Sequence, residues 1–535
     1  MKEILIDAIN ASLKKLDIED ISVEIDIPKQ KDFGDYSTNI AMKLTKILGK
    51  SPMDIAATIV ENIACDSITK MEIKAPGFIN FFVKKDYLVE NIKKVLTEKD
   101  KYGSSNIGSG KKVNIEFVSA NPTGILHLGN ARGGAYGDSL ARIMRFSGFD
   151  VTEEYYINDA GNQINNLGES LKSRYYEVCG KDYPLPDGGY HGKEIIAMAE
   201  DLYEEHQDSL LDENIEFYKS YATEKLIAKI IADLKEYRIN YDVYTSEKAI
   251  RNKYNLQNII DILTKNGYTY ERDGALWFKC SALFDDEDHV LVKEDKTLTY
   301  LVPDIAYHLD KYNRGYDKMI DIFGADHHGY VARLKSSVKA LGNDPEKLEV
   351  KLLQLVRLIR DGEVVKMSKR TGKSVTLKEL IDEVGINAAR YYFVKSSLDT
   401  QMDFDLNLAK SKSNENPVYY VCYAYARISS ILKETDYNEI PQKFDALNDE
   451  DSYNVLEKVY AFPEVVKNAA QKELPHLITN YVYDLANTFH NYYSRIRIIT
   501  DDEEITKERI LLIKSVHQTI KNALDLIGVI PPEKM

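Results

Sequence analysis

Tryptophan and cysteine are scarce in this 535-residue chain, which holds one Trp and four Cys. The cysteines, Cys65, Cys179, Cys280 and Cys422, stand more than 100 residues apart, with no Cys-x-x-Cys pair and no neighbouring histidine at zinc spacing. That pattern argues against a disulfide framework and a structural zinc, and it fits a reducing, cytoplasmic setting. No apolar run reaches the roughly 18 to 20 residues that span a bilayer, and Glu3 and Asp7 interrupt what would be a signal peptide. A membrane partner is not expected. Excess positive charge is missing too: 70 Lys and Arg against 85 Asp and Glu give a formal charge of −15, and residues 411–535 alone carry 14 against 19. Composition therefore offers no case for DNA or RNA, and an RNA partner has to be argued from motifs. Repeats and low-complexity segments are also lacking. What is present, 44% hydrophobic and 29% charged residues, fills more than one core, so two to four domains are expected.

Residues 1–100 open with a helical apolar pattern (Ile4, Ile6, Ile9, Leu13, Leu16), followed by alternating Ile21, Val23, Ile25 and Ile27 that predict a strand, together a small α+β unit. The polar, glycine-rich stretch 98–112 reads as a linker. Residues 113–118 alternate as a strand, then come turn residues and a glycine-rich entry to a helix. Further strands are expected over 150–156 and 319–323, with a helical insertion over about 165–295 between two halves of a parallel sheet. Residues 355–366 form a hairpin around Asp361-Gly362 that runs into a basic loop, and Thr376-Leu-Lys-Glu379 is a capping box. From about 408 the pattern is helical and rich in tyrosine.

Two segments carry chemistry. In Glu116-Phe-Val-Ser-Ala-Asn-Pro-Thr-Gly-Ile-Leu-His127-Leu-Gly129-Asn130-Ala-Arg132, glycines at a strand-to-helix junction allow close backbone approach, and the helix start offers N–H groups to a phosphate. His127 and Asn130, three apart, can face one ligand. In Lys366-Met367-Ser368-Lys369-Arg370-Thr-Gly-Lys373, four cations in eight residues suit the charge that builds on a transferring phosphoryl or adenylyl group. Taken singly, the first also fits a tight turn and the second a solvated basic loop.

In this order and about 240 residues apart, His127-Leu-Gly-Asn and Lys366-Met-Ser-Lys resemble the two signatures of class I aminoacyl-tRNA synthetases. The flanking Ser119-Ala-Asn-Pro-Thr-Gly, Tyr155-Tyr-Ile-Asn-Asp-Ala-Gly-Asn-Gln163, Asp304-Ile-Ala-Tyr-His308, Gly324-Ala-Asp-His-His-Gly329 and Asn416-Pro-Val-Tyr-Tyr-Val421 are similar to arginyl-tRNA synthetases of the bacterial type. Gly34-Asp-Tyr-Ser-Thr-Asn39 and Ala75-Pro-Gly-Phe-Ile-Asn80 resemble that family's N-terminal domain, and 528–535 its ending. The resemblance spans the chain, with one departure: Asn130 stands where the first signature usually has His, so it can donate a neutral hydrogen bond but carries no charge.

The resemblance implies an α/β architecture: an N-terminal tRNA-contacting α+β domain (1–100), a Rossmann-like catalytic domain (110–405, with the basic loop 366–370) and an all-α helical-bundle anticodon-binding domain (406–535). It implies ATP-dependent activation of L-arginine and transfer to the 2′-hydroxyl of the terminal adenosine of tRNA(Arg), by a monomer using ATP and Mg²⁺. His127, Asn130, Lys366 and Lys369 would be catalytic. Gly124, Gly129, Gly324, Asp326, His327, His328, Met367 and Ser368 would join His127 and Asn130 around ATP. Glu116, Ser119, Asn121, Tyr300, Asp304 and His327 would line the arginine pocket, Asp304 taking the guanidinium while Asn121 and Glu116 meet the α-amino group or fix the pocket. Such acceptors reject citrulline and lysine without an editing domain. Tyr36, Asn39, Phe78, Asn80, Tyr419, Tyr420, Tyr423 and Arg427 would contact tRNA, although aromatics at helical spacing are more often core, and about one or two of them are expected to face RNA. No resident metal is expected: His327-His328 lacks a third ligand at suitable spacing, and Mg²⁺ prefers oxygen. Three other readings stand beside this one: a nucleotidyltransferase with a small-molecule acceptor, a non-catalytic synthetase paralogue, and a cysteinyl enzyme, which would need zinc ligands.

Overall fold

The computed structural model describes the chain apart from residues 19–20, 29, 366–374, 436, 438 and 442–443, and apart from the side chain of residue 31. The basic loop carrying Lys366, Met367, Ser368 and Lys369 therefore lies outside the described residues.

The N-terminal unit packs helices Lys2–Lys15, Ile40–Leu48 and Pro52–Asn62 on an antiparallel sheet of β1 (Tyr36–Thr38), β2 (Ile68–Lys74) and β3 (Phe78–Val83), in the order β1-β3-β2. Leu5, Ile9, Ile40, Leu44, Ile55, Ile79 and Phe81 form a core of its own. The strand expected over 21–27 does not form: among its described residues only Asp26 pairs, in a single bridge to Ser37. A lone edge segment whose alternate side chains are half-buried gains too little to build a ladder.

The central unit is built on five parallel strands: β4 (Lys112–Glu116), β5 (Asp150–Ile157), β6 (Val243–Ser246), β10 (Lys318–Gly324) and β11 (Leu348–Leu353), in the order β11-β10-β4-β5-β6. Between β6 and β10 the chain adds an antiparallel trio, β7 (Thr269–Arg272), β8 (Ala275–Phe278) and β9 (His289–Val292). The segment 165–295 is thus mixed rather than helical, and it contributes an edge strand to the main sheet. The helices Asn162–Val178, Lys193–His206 and Ile215–Glu236 do pack together around Leu167, Tyr175, Leu202 and Tyr218. Strand order reverses between β4 and β10, the place where open α/β sheets hold ligands at their carboxyl ends.

The hairpin forms as β12 (Val356–Arg360) and β13 (Glu363–Val364), with Asp361 and Gly362 at φ 52° and 79°, and β14 (Met402–Asp405) pairs with β12 in parallel. The C-terminal helices Pro417–Glu434, Glu450–Lys472, His476–Arg495 and Glu503–Asp525 share one continuous core with the central sheet, and helix Asp86–Glu98 belongs to that core as well. The expected linker is not free chain. Tyr102 is fully buried, its hydroxyl donating to the Val459 carbonyl at 2.7 Å while Gly103 lies against the Phe462 ring.

Candidate active site

Strand β4 ends in an unusual turn. Val118 and Ser119, both non-glycine, sit at φ 69° and 35°, a conformation that persists only where the surroundings hold it. Three bonds do so here: the Tyr241 hydroxyl donates to the Phe117 carbonyl (2.9 Å), the Tyr155 hydroxyl to the Ala120 carbonyl (2.7 Å) and the Tyr156 N–H to Ser119 Oγ (3.1 Å). The turn directs the chain into helix Leu128–Phe146 above the gap between β4 and β10.

His127 is the N-cap of that helix. Its Nδ1 accepts the Gly129 N–H at 3.2 Å, and Asn130 Oδ1 accepts the His127 N–H at 3.1 Å, a reciprocal capping box built from His and Asn. Because Nδ1 accepts, the ring proton of neutral His127 sits on Nε2. Asn130 keeps its amide N–H groups for another acceptor. A Cβ on Gly129 would stand 3.2 Å from His127 Cε1, so glycine is what lets the imidazole lie over the helix start. Gly124 is half-buried beside this turn. The first signature also grips the far end of the basic loop: the Leu377 N–H donates to the Leu126 carbonyl at 2.8 Å, and His127 bridges Thr376.

Across the gap, β10 ends at Gly324, and Asp326, His327 and His328 follow as exposed residues at the start of helix His328–Ala340. The His327 ring lies 5.6 Å from that of Phe323 and 6.3 Å from that of Tyr330.

The floor of the site is ionic. Glu116 and Asp321 are direct neighbours on β4 and β10, and both are buried. Lys311 Nζ donates to Asp321 Oδ1 at 2.7 Å and to Glu116 Oε2, which also accepts from the Tyr307 hydroxyl at 2.9 Å, while Glu116 Oε1 accepts from the Ser119 hydroxyl at 2.9 Å. Burial raises the Glu116 pKa against the pull of Lys311, and burial of Asp321 is outweighed by Lys311 and His308, which hold it at about 2. Glu116 and Ser119 therefore shape the pocket from beneath. Asp304 stands higher, half-buried on helix Leu301–Asn313, its Oδ2 accepting from the Tyr330 hydroxyl. Tyr300 caps the same helix at the mouth, 69% exposed, and accepts from Arg333 at 3.3 Å. Asn121 is exposed and donates to Gln163 Oε1 at 2.7 Å.

Sequence reasoning missed Tyr307, Lys311, Asp321 and Tyr330. For Tyr307 and Lys311 the available signal was polar residues at i, i+3, i+4 and i+7 from Asp304 on one helix, whereas Asp321 and Tyr330, on other elements, carried none. It also missed that Cys280, Asp285 and His289 gather, with ligand atoms within 4.8 Å of one another. His289 Nε2 bonds Asp285 Oδ2 at 2.8 Å, and Arg333 Nε stands 3.9 Å from the same oxygen, so this carboxylate already has cationic company.

Of the residues expected to meet tRNA, Tyr36 and Asn80 are corrected to framework positions. Tyr36 is buried with its hydroxyl 3.3 Å from that of Tyr87, and buried Asn80 accepts from Ser37 at 2.7 Å. Phe78 is on the surface, and Asn39 is half-buried with Oδ1 sheltered. Tyr419, Tyr420, Tyr423 and Arg427 form a half-buried row on helix Pro417–Glu434. The Tyr419 and Tyr423 rings stack at 6.0 Å, Tyr420 meets His490 at 4.4 Å, and the Arg427 guanidinium lies 4.5 Å and 4.6 Å from the Tyr423 and Tyr493 rings. Tyr425, Tyr481, Phe489 and Tyr492 are core.

Comparison with known proteins agrees with this geometry. Residues 3–83 match the arginyl tRNA synthetase N terminal domain, 91–437 the catalytic domain of class I (R) tRNA synthetases and 421–535 the DALR anticodon binding domain. An arginine–tRNA ligase of Shouchella clausii is 50% identical, the alignment covering 96% of this chain and 94% of the relative. That of Bacillus subtilis is 46% identical over 100% and 99%. The solved arginyl-tRNA synthetase of Thermus thermophilus, at 22% identity, shares the fold over the full length of both chains with a TM-score of 0.79. With a capped His127 helix start after β4, a buried Glu116–Lys311–Asp321 cluster on the two strands that meet at the switch point, and matches running from end to end, this chain belongs to the arginyl-tRNA synthetase family.

Proposed function

We propose that this chain activates L-arginine with ATP and transfers it to the 2′-hydroxyl of the terminal adenosine of tRNA(Arg). The observation that carries the reading is the placement of Asp304. It is a partly exposed carboxylate, fixed by Tyr330, on the helix that also carries Tyr307 and Lys311 onto Glu116. A guanidinium has five donors and a permanent charge, so it needs such a partner once desolvated. Tyr300 covers the mouth, and Asn121 and the backbone of the β4 turn meet the α-amino end.

The arginine carboxylate attacks the α-phosphate of ATP, giving arginyl-adenylate and pyrophosphate. Mg²⁺ arrives with the nucleotide, on the phosphate oxygens that a hard cation prefers. Charge building on phosphate is met by His127 Nε2–H, the Asn130 amide and the helix-start N–H groups, with Lys366 and Lys369 assigned to the same task by the family signature. Gly324, Asp326, His327 and His328 hold the nucleotide side. The row Tyr419, Tyr420, Tyr423 and Arg427 offers π faces to unstacked anticodon bases, and Phe78 and Asn39 are the N-terminal candidates for the tRNA body. A monomer working in the cytoplasm suffices for this chemistry. Arginine-dependent exchange of labelled pyrophosphate into ATP, with and without tRNA, tests the reading. Exchange with arginine but with neither lysine nor citrulline, lost in Asp304→Asn, is the expected result; exchange unaffected by Asp304→Asn removes the pocket assignment.

A further inference from the structure

His308 is buried on helix Leu301–Asn313, one turn below Asp304. Its Nδ1 faces the Asp304 backbone carbonyl at 2.9 Å and the Asp304 carboxylate at 3.4 Å, and its Nε2 faces Asp321 Oδ2 at 2.9 Å. Each of these oxygens only accepts, so both ring nitrogens carry hydrogen and the ring is an imidazolium. Lys311, bonded to Asp321 and Glu116, continues the series. From the pocket inward the charges alternate: Asp304, His308, Asp321, Lys311, Glu116. With every group ionised, three carboxylates against two cations leave one negative charge, and the partly exposed end of the ladder is Asp304.

We propose that His308 is a positioning residue for arginine selection: its ring, held between Asp304 and Asp321, aims the Asp304 carboxylate and supplies the second cation of the ladder, so that a guanidinium completes the charge balance. The proposal rests on Asp304 being the guanidinium partner. The other charged groups around the ladder are matched among themselves. Glu154 of β5 takes Arg314 Nη2 at 2.9 Å on both oxygens, and Glu247, on the Asp304 side, pairs with Arg251. The Tyr307 and Tyr330 hydroxyls donate to Glu116 and Asp304, and Arg333 lies beyond the Tyr330 ring at 5.2 Å. Burial by itself would lower the His308 pKa, but Asp304 and Asp321 outweigh it and raise it to about 10. The ladder therefore holds its charge across neutral pH.

His308→Gln keeps a donor and removes the charge. Asp321 then loses one of the two cations that hold its carboxylate down, so the ladder takes up a proton more readily, and arginine has to displace it. The expected result is a KM for arginine raised about tenfold or more near pH 6.5, falling by up to about tenfold per pH unit as pH rises, against a flat wild-type profile. KM for ATP should stay put, which separates this from a loosened fold. His308→Gln/Asp321→Asn restores the single negative charge, and its KM for arginine should return to within about threefold of wild type with no pH slope. That double variant also serves where the single one does not fold. Equal rises in KM for arginine and ATP, no pH slope in the single variant, or a double variant no better than the single one would overturn the proposal. If Asp304→Asn itself binds arginine as wild type does, the pocket reading falls and this proposal falls with it.

Discussion

Asn130 shows how much one side chain can hide in a motif. Sequence shows a departure from the usual His and a loss of charge; the structure shows that its Oδ1 closes a capping box on the His127 N–H, leaving the amide N–H groups for a ligand. Asn130→Ala removes both, and should cost about 1 kcal/mol of stability through the lost cap and about tenfold in pyrophosphate exchange through the lost donor. Asn130→His, whose ring can accept with one nitrogen and donate with the other, should stay within about threefold of wild type. Parallel exchange assays and melting curves check this, and an Ala variant as active as the parent would show that the amide touches no phosphate. The box was not legible beforehand because its residue types, His at the N-cap and Asn three residues on, are not the Ser/Thr and Glu/Gln that announce one. His308 is a second such residue. Its pKa, raised from the ordinary 6.5 to about 10, means the folded state holds a proton that the unfolded state releases. Its stabilisation is complete below about pH 6.5 and is lost as pH climbs through 10. The melting-temperature deficit of His308→Gln should therefore be largest at about pH 6 and shrink steadily towards pH 10; a constant deficit would mean the histidine is neutral in the fold.

At the scale of elements, the periodicities did most of the work where elements were long and regular. Helices 417–525, the hairpin and strands β4, β5 and β10, unlike β11, were readable because each announces itself locally. Strand β6 was not: its four residues are half-exposed and sit inside helical sequence, and only pairing with β5 makes them a strand. Helix Leu128–Phe146 was readable as a helix, but its attachment was not. Gly137 lets it settle on the Phe117 ring, where a Cβ would stand 2.3 Å away. Arg132, fully buried, donates to the carbonyls of Gln354 (2.9 Å), Ser397 (2.7 Å) and Thr400 (2.9 Å). Those carbonyls flank β12, the strand that leads to the basic signature, so one guanidinium ties the two signature-bearing elements together from within. Burial lowers its pKa to about 10, which still leaves it charged at neutral pH. Lys reaches at most part of this fork. Arg132→Lys should remain folded with a lowered melting temperature and lose exchange activity by about tenfold or more through misplacement of the second signature. Arg132→Ala, which takes three hydrogen bonds from these carbonyls and leaves Ser397 only the Thr400 N–H, should cost about 3 kcal/mol or more. An Arg132→Lys enzyme with wild-type exchange would show that the two elements hold their places without the tie.

At the scale of the whole molecule, the cores divide the chain differently from its functional modules. The sheet and the C-terminal helices share one apolar cluster, joined by Tyr102, Phe462, Tyr136 and Tyr391, whereas the N-terminal unit has its own. Among the described residues the polar ties between the two are the Met1 ammonium to the Tyr460 hydroxyl at 2.5 Å and the Tyr36 hydroxyl to that of Tyr87 at 3.3 Å, with Tyr87 packed against both cores. Partly buried hydrogen bonds of this kind contribute about 1 kcal/mol each, too little to merge two cores into one cooperative unit. A small, early calorimetric transition should therefore belong to the N-terminal unit, and a larger, later one to sheet and bundle together. A chain beginning at residue 84 should keep the large transition at nearly the same temperature. The helices from residue 417 onward, expressed by themselves, should aggregate or bind hydrophobic dyes, because the face that lies against helix Leu128–Phe146 and helix Ile386–Val394 would be open to water. A single transition for the full chain, destroyed by removing residues 1–83, would show instead that the N-terminal unit is part of the same cooperative core, and that the anticodon helices and the active site are coupled through it.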